Sequence, residues 1–402
     1  MVRGFLRGLL SRFGAASPLF FVTVGHDAFG AVVARLRSAI EVALPDGVMV
    51  AHGPLEARVK VQILVGQPIH QPDSEKQKNR NDMENHIKIF TGNANRPLAE
   101  KIAARVGVPL SEASVIRYPD GEICVTYEET VRGRDVFIIQ PTGIDPNEYL
   151  MELLVMVDAA RRASAKRITA VIPFFAYARQ DRKDRSRVPI SAKLVANLLV
   201  ASGVNRVLTV DLHSPQIQGF FDIPVDHLYA APVFVRYLNE KLPAEDRVVV
   251  SPDPGGLKMA YSYSQLLNAG LALAGKHRKS PTEVEALELV GNVAGKNCIL
   301  TDDMTTTAGT LCAAAEMAMA AGAKSVRAIV SHCPITGMGV ERLKKSPIEE
   351  LITTDTLLPQ QGWDEYPITV LSIADLLGDA IKRIYGDESV SKLFEIHQGR
   401  TQ

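Results

Sequence analysis

The run Ile299–Thr310, ILTDDMTTTAGT, has the makings of a phosphate cradle: an apolar strand, two acids, then small and hydroxylated residues opening a helix. Backbone N–H groups at a helix start carry the positive end of the helix dipole, so with the hydroxyls of Thr306, Thr307 and Thr310 they can hold a sugar phosphate. Asp302 and Asp303 can accept hydrogen bonds from the sugar hydroxyls. A merely capped helix needs one such residue, and a double acid followed by Thr-Ala-Gly-Thr exceeds that need.

Other apolar runs also end abruptly in Asp or His: Asp211-Leu212-His213, Asp253 and His332. In parallel α/β sheets ligands bind beyond the carboxyl ends of the strands, so these endings are expected to converge on one crevice. Each acid taken alone is equally well read as a helix cap. A lone His at a strand end is more often a hydrogen-bonded structural residue than a ligand. The glycine pair Gly255-Gly256 after Asp253 lets backbone come close to whatever binds there.

Three further runs carry charge. Arg179, Gln180 and Lys183 lie in YARQDRKDRSR (Tyr177–Arg187), which is either a solvated face or, against a polyphosphate, a set of bidentate and point-charge ligands. RYPDGE (Arg117–Glu122) has the chemistry of a polar turn. Gly270–His277, GLALAGKH, imitates a P-loop but lacks the Ser or Thr that would hold a metal, and LALA is strand-like.

These motifs, with DLHSPQIQGFFDIPVDHL (Asp211–Leu228) and SPDPGG (Ser251–Gly256), resemble in type and order the class I ribose-phosphate pyrophosphokinases, the phosphoribosyl pyrophosphate synthetases. The likeness runs from about Ile87 to the C-terminus. It implies transfer of a pyrophosphoryl group from magnesium ATP to ribose 5-phosphate, with Mg2+ as cofactor, in a cytoplasmic homohexamer built from dimers. It implies that Arg179 and Gln180 contact ATP, and that Tyr118, Asp120, Gly121 and Glu122 shape the adenine site of a neighbouring subunit. His213 and Asp253 would position the metal. Asp302, Asp303, Thr306, Thr307, Ala308, Gly309 and Thr310 would hold ribose 5-phosphate. Lys276 and Arg278 would be the catalytic cations, Arg278 also touching the sugar phosphate. Thr306 stands where many members have Asp, Ala308 where Gly is frequent, and Tyr118-Pro119 where Phe-Ser is common. A phosphoribosyltransferase would leave the ATP-side motifs unexplained, and a non-catalytic relative would have no use for His213, Asp253, Lys276 and Arg278.

The elements that must place these residues read as α/β with mainly parallel sheets, in two phosphoribosyltransferase-like domains. Strands are expected at HIKIF (from His86), Val136–Gln140, Ile168–Pro173, Val207–Asp211, Val248–Asp253, Cys298–Asp302 and Val326–His332. Helices are expected at Tyr149–Ala163, Ile190–Ala201 and Thr310–Ala321. The domains are expected at 83–229 and 230–392, with a tail at 393–402 packing back on the first. Residues 1–82 form an extension and linker, polar throughout from Gln71 to Asn85. Phe5, Leu6, Leu9, Leu10 and Phe13 share a helical face flanked by Arg3, Arg7 and Arg12, which leaves a transit peptide, a functional appendage or a dispensable extension open.

Composition removes other classes. Basic and acidic side chains balance at 45 each, so there is no excess positive charge of the kind a dedicated nucleic-acid binder uses. Cys124, Cys298, Cys312 and Cys333 lack the paired spacing of a zinc site or disulfide frame, which fits reduced thiols. No stretch approaches the roughly 20 apolar residues that cross a bilayer.

Overall fold

The computed structural model describes residues 86–277 and 286–394, with backbone alone at 276–277, 286–288 and 394, and strand backbones at 41–42, 48–50 and 60–62. The chain divides into two compact units, residues 1–77 and 78–402. In the first, β1 (Glu41–Val42), β2 (Val48–Val50) and β3 (Lys60–Gln62) form an antiparallel sheet in that order. The expected amphipathic helix near Phe5 and the polar linker lie outside the described residues.

The second unit opens with β4 (Ile87–Thr91), then helix α1 (Arg96–Val106). This helix starts where Asn95 accepts from the Leu98 N–H and a proline occupies the first turn, and ends where Gly107 takes the left-handed φ of 93°. A hairpin follows, β5 (Ala113–Arg117) and β6 (Ile123–Tyr127). After it come β7 (Asp135–Ile139), α2 (Pro146–Arg162), β8 (Arg167–Ile172), α3 (Ser191–Ser202), β9 (Arg206–Val210) and β10 (Val225–Leu228). The sheet β10-β9-β8-β7-β4 is parallel throughout.

The chain continues through α4 (Ala231–Lys241), β11 (Arg247–Ser251), α5 (Leu257–Leu267), β12 (Gly270–His277), β13 (Ala286–Val290), β14 (Asn297–Met304), α6 (Gly309–Ala320), β15 (Ser325–His332), α7 (Gly337–Lys345), β16 (Ile348–Thr354), β17 (Ile368–Leu371) and α8 (Ala374–Tyr385). The second sheet runs β13-β12-β11-β14-β15-β16-β17, and only the β12–β13 pair is antiparallel. The expected strands and helices fall within one to three residues of those observed. The P-loop imitation is a strand from end to end, β12, so its glycines wrap nothing.

Strand alternation divides the core. Phe137 and Ile139 of β7 and Ile299 of β14 enter one shared cluster, while Val136 and Ile138 face α2 and α3, and Cys298 and Leu300 face α6 and α7. The shared cluster takes Leu98 and Ile102 from α1, Phe234 and Leu238 from α4, and Leu377, Ile381 and Ile384 from α8. The two sheets therefore close on a common middle layer of helices, and α1 packs directly on α8. Gly378 makes that approach possible, because a Cβ there would lie 2.6 Å from Arg105 Cγ. Residues 395–402 of the expected tail lie outside the described residues. Among the described residues no helix is long and apolar enough to cross a membrane.

Candidate active site

The strand order of the second sheet reverses at β11. The chain leaves it for β12 on one side and returns to β14 on the other, which puts a crevice at the carboxyl ends of these two strands. The loop after β11 carries Asp253, Gly255 and Gly256, and β14 ends in Asp302 and Asp303. The first sheet contributes the end of β9, where Asp211 takes a φ of 38° and turns the chain so that His213 meets Asp303. His213 Nδ1 and Asp303 Oδ2 are 2.7 Å apart.

That contact stands between two cavities. One, of about 700 Å³, is lined by Arg179, Gln180, His213, Asp303, Thr306 and His332 among others. The other, of about 830 Å³, is bordered by Arg182, His213, Asp253, Gly255, Lys258, Asp302 and Asp303. Asp211, Leu212, His213 and Asp303 belong to both linings. The acids and histidines that end the apolar runs, expected in one crevice, are divided between the two cavities: His332 borders the first, Asp253 and Asp302 the second, and Asp211, His213 and Asp303 both.

Charge in this crevice is unevenly balanced. Burial first, and then the neighbouring Asp303, push the Asp302 carboxyl up to about 8. Burial acts to raise Asp303 too, but the hydrogen bond and charge of His213 outweigh it and hold this carboxyl below its ordinary range. The Asp303 hydrogen bond raises His213 against the opposing effect of burial. Burial also lifts Asp211 to about 6, although its carboxylate accepts from Ser331 Oγ and the Ala230 N–H.

The cradle is shaped from outside. Thr336 donates to the Thr306 carbonyl through its N–H at 2.9 Å, and Arg342 donates to the Thr307 carbonyl at 3.1 Å. Ala308 takes the left-handed φ of 55°, and no side chain caps α6. The first-turn N–H groups beside the threonines therefore have no side-chain acceptor. Thr306 lines the first cavity, whereas Thr307, Ala308, Gly309 and Thr310 line neither; Ala308 is buried and Thr310 exposed on the first turn of α6.

Asp253 holds the start of a helix and also borders a cavity. Its Oδ1 accepts from the Gly256 N–H at 3.0 Å at the start of α5, while the exposed side chain borders the second cavity. Gln180 accepts from Ser191 Oγ at the start of α3, which ties the basic run to a helix. Tyr118, Asp120, Gly121 and Glu122 form the tight turn of the β5–β6 hairpin: Tyr118 N–H donates to the Glu122 carbonyl at 2.8 Å, and Gly121 supplies a φ of 97°. This turn lines neither cavity, and Tyr118 is 46% exposed. Lys276 is next to last in β12, paired with Leu287. Arg278 lies outside the described residues.

Among the described residues no three His, Cys, Asp or Glu side chains form a ready metal cage. The donor set suits a hard cation that keeps most of its water: Asp253, Asp302 and Asp303 bring carboxylates to one cavity, with Asp302 short of positive neighbours.

Sequence reasoning missed His227 and Thr356. His227 Nε2 accepts the Leu212 N–H at 2.9 Å, and Thr356 Oγ1 is 2.9 Å from His332 Nδ1. The one available signal for His227 was a histidine inside an otherwise ordinary strand, VDHL.

Residues 87–203 match the N-terminal domain of ribose phosphate pyrophosphokinase, and residues 277–395 match the phosphoribosyl synthetase-associated domain. The ribose-phosphate pyrophosphokinase of Brucella melitensis is 50% identical over 310 residues, covering 77% of this chain and 100% of the relative. That of Mesorhizobium japonicum is 51% identical over 311 residues, with the same coverage of both chains. The crystal structure of phosphoribosylpyrophosphate synthetase from Mycobacterium smegmatis superposes with a TM-score of 0.72 at 41% identity, covering 75% of this chain and 99% of that one. With half of the aligned residues identical and the whole length of the Brucella and Mesorhizobium relatives matched, this chain belongs to the ribose-phosphate pyrophosphokinase family.

Proposed function

We propose that the chain performs its family's reaction, the transfer of a pyrophosphoryl group from ATP to ribose 5-phosphate, in the crevice where the two sheets meet. The anomeric hydroxyl of the sugar attacks the β-phosphorus in line, and AMP leaves. No covalent intermediate with the protein is needed, so catalysis rests on positioning and on stabilising charge. The observation that carries this reading is the His213–Asp303 contact, which joins the end of the first sheet to the acid pair of the second and borders both cavities.

The roles divide by location. Arg179 and Gln180, on the first cavity, hold the nucleotide. Asp302 and Asp303 meet the sugar hydroxyls, and Thr306, Thr307, Ala308, Gly309 and Thr310 receive the 5-phosphate at the uncapped start of α6. Lys276 and Arg278 meet the transferring group as charge develops on it. His213 and Asp253 would hold a magnesium ion, which when bound would supply positive charge against the polyphosphate.

The hairpin turn at Tyr118–Glu122 lies apart from both cavities of its own chain, which supports its service to the adenine of a neighbouring subunit in a hexamer built from dimers. The four cysteines are free thiols, in keeping with a cytoplasmic enzyme.

The test is to incubate purified protein with ATP, magnesium and ribose 5-phosphate and to quantify AMP and phosphoribosyl pyrophosphate. Both products are expected in equal amounts. Absence of both across a range of phosphate concentrations would refute the reading.

A further inference from the structure

The turn that carries His213 is held by two other histidines that the reaction itself does not use. His332, at the end of β15, places Nε2 at 3.1 Å from the Val210 carbonyl and 3.2 Å from the Asp211 carbonyl. Carbonyls only accept, so Nε2 carries a proton and donates to the pair. Its Nδ1 then accepts from Thr356 Oγ1, and Phe174 packs edge-on at 4.9 Å between ring centroids. His227, on β10, is its mirror image. The Leu212 N–H can only donate, so His227 Nε2 is the acceptor and its proton sits on Nδ1, whose neighbour at 3.3 Å, Gln218 Nε2, is itself a donor and does not accept it. Both rings are buried, at 2% and 7% exposure, where an uncharged imidazole is the favoured form.

We infer that His332 and His227 are positioning residues of opposite tautomer, one donating to the Val210 and Asp211 carbonyls and one accepting from the Leu212 N–H, which together fix the turn that aims His213 at Asp303. The turn needs such support because Asp211 holds a left-handed φ of 38°, a conformation that is unfavourable for a non-glycine residue and persists where its surroundings impose it. The Asp211 carboxylate adds two further ties, to Ser331 and to the Ala230 N–H, so both sheets grip the same three residues. Loss of either imidazole leaves the fold of each sheet intact and lets the His213 ring drift from its partner.

The inference rests on the proposed role of His213 at the metal and phosphate site, and His213→Ala is the control that separates the two claims. With that variant impaired, His332→Leu is expected to lose about 10- to 100-fold in turnover and to need several-fold more magnesium for half-maximal rate, the range seen when a group that orients a metal-binding side chain is removed. Glutamine places an amide nitrogen near the position of imidazole Nε2, so His332→Gln is expected to stay within about threefold of wild type. A folded His332→Leu with unchanged turnover and magnesium dependence would overturn the inference. A His213→Ala variant of wild-type activity would instead overturn the site assignment beneath it. A measurement free of variants uses the intact protein labelled with ¹⁵N-histidine: the nitrogen shifts should report a neutral Nε2–H ring for His332 and a neutral Nδ1–H ring for His227. Either ring in the other tautomer, or doubly protonated at neutral pH, refutes the arrangement.

Discussion

Two strands of this fold end in polar residues followed by a helix, and they spend those residues differently. After β4, Asn93 and Asn95 are bonded to other groups of the protein. Asn95 caps α1 through the Leu98 N–H and gives its amide to the Asp355 carbonyl. The buried Glu152 carboxylate accepts from the Asn93 N–H at 2.5 Å, from Asn93 Nδ2 at 2.8 Å and from Gln140 Nε2 at 2.6 Å. After β14, in contrast, the helix start has no side-chain cap, two acids stand side by side, and exposed threonines surround first-turn N–H groups. The same local ingredients, Asp, Asn, Thr and a helix start, thus build structure where they satisfy each other and a site where they are left over for a ligand.

The comparison breaks most visibly if the leftover groups prove dispensable. The largest effect is expected from Lys276→Ala, at the end of β12 in the same sheet: turnover should fall about 10²- to 10³-fold while ATP affinity changes little, since a cation acting on charge that develops in the transition state contributes to rate and not to ground-state binding. Pre-steady-state turnover beside equilibrium ATP titration measures this, and parallel losses in both would deny the residue its role. Next comes Thr310→Asp. An acid in the first turn favours a helix by about 0.3–1 kcal/mol, yet it sets a negative charge where the sugar phosphate is proposed to dock. The melting temperature should hold or rise while the KM for ribose 5-phosphate climbs by about 100-fold or more, a guide value for like charges brought together in a phosphate site. An unchanged KM would place the phosphate elsewhere.

How much of this was legible beforehand follows from the same contrast. Strands buried on both faces are short apolar runs bounded by polar residues, so their positions could be read to within a residue or two, and the residues that end them were visible as abrupt changes of type. Lys276 and Arg278 rested wholly on resemblance, since isolated cations in a sequence carry no signal of their own. His227 was not legible because its partner is a backbone N–H fifteen positions earlier in sequence, brought near only by the pairing of β9 with β10. The middle layer was hidden for a related reason. The stripe Leu377, Ile381, Ile384 announces an apolar face on α8, but nothing in it says that the face will lie on α1 from the opposite end of the unit.

The β4 edge should respond in stability alone. Asn95→Ala removes a helix cap and a buried amide, and is expected to lower unfolding free energy by about 1–2 kcal/mol with KM and turnover within twofold of wild type. Chemical denaturation with the kinetic constants in parallel checks it; a large kinetic effect would mean that this helix start also belongs to the site.

The smallest effect is a slope. Burial raises the Glu152 carboxyl above its ordinary value, with the Asn93 and Gln140 hydrogen bonds opposing. Through the window between the unfolded and folded values the native protein therefore binds more protons than the unfolded chain, and its stability falls as pH rises. Glu152→Gln removes that group from the titration. It also turns an amide toward three N–H donors that need an acceptor, so the variant should be less stable throughout. The gap to wild type should nonetheless narrow as pH rises from the ordinary carboxyl range toward neutrality, because only the wild type loses stability over that interval. Urea midpoints taken at several pH values decide it: a gap that widens with pH would mean that Glu152 is held as a carboxylate by its three donors and that burial does not govern its proton.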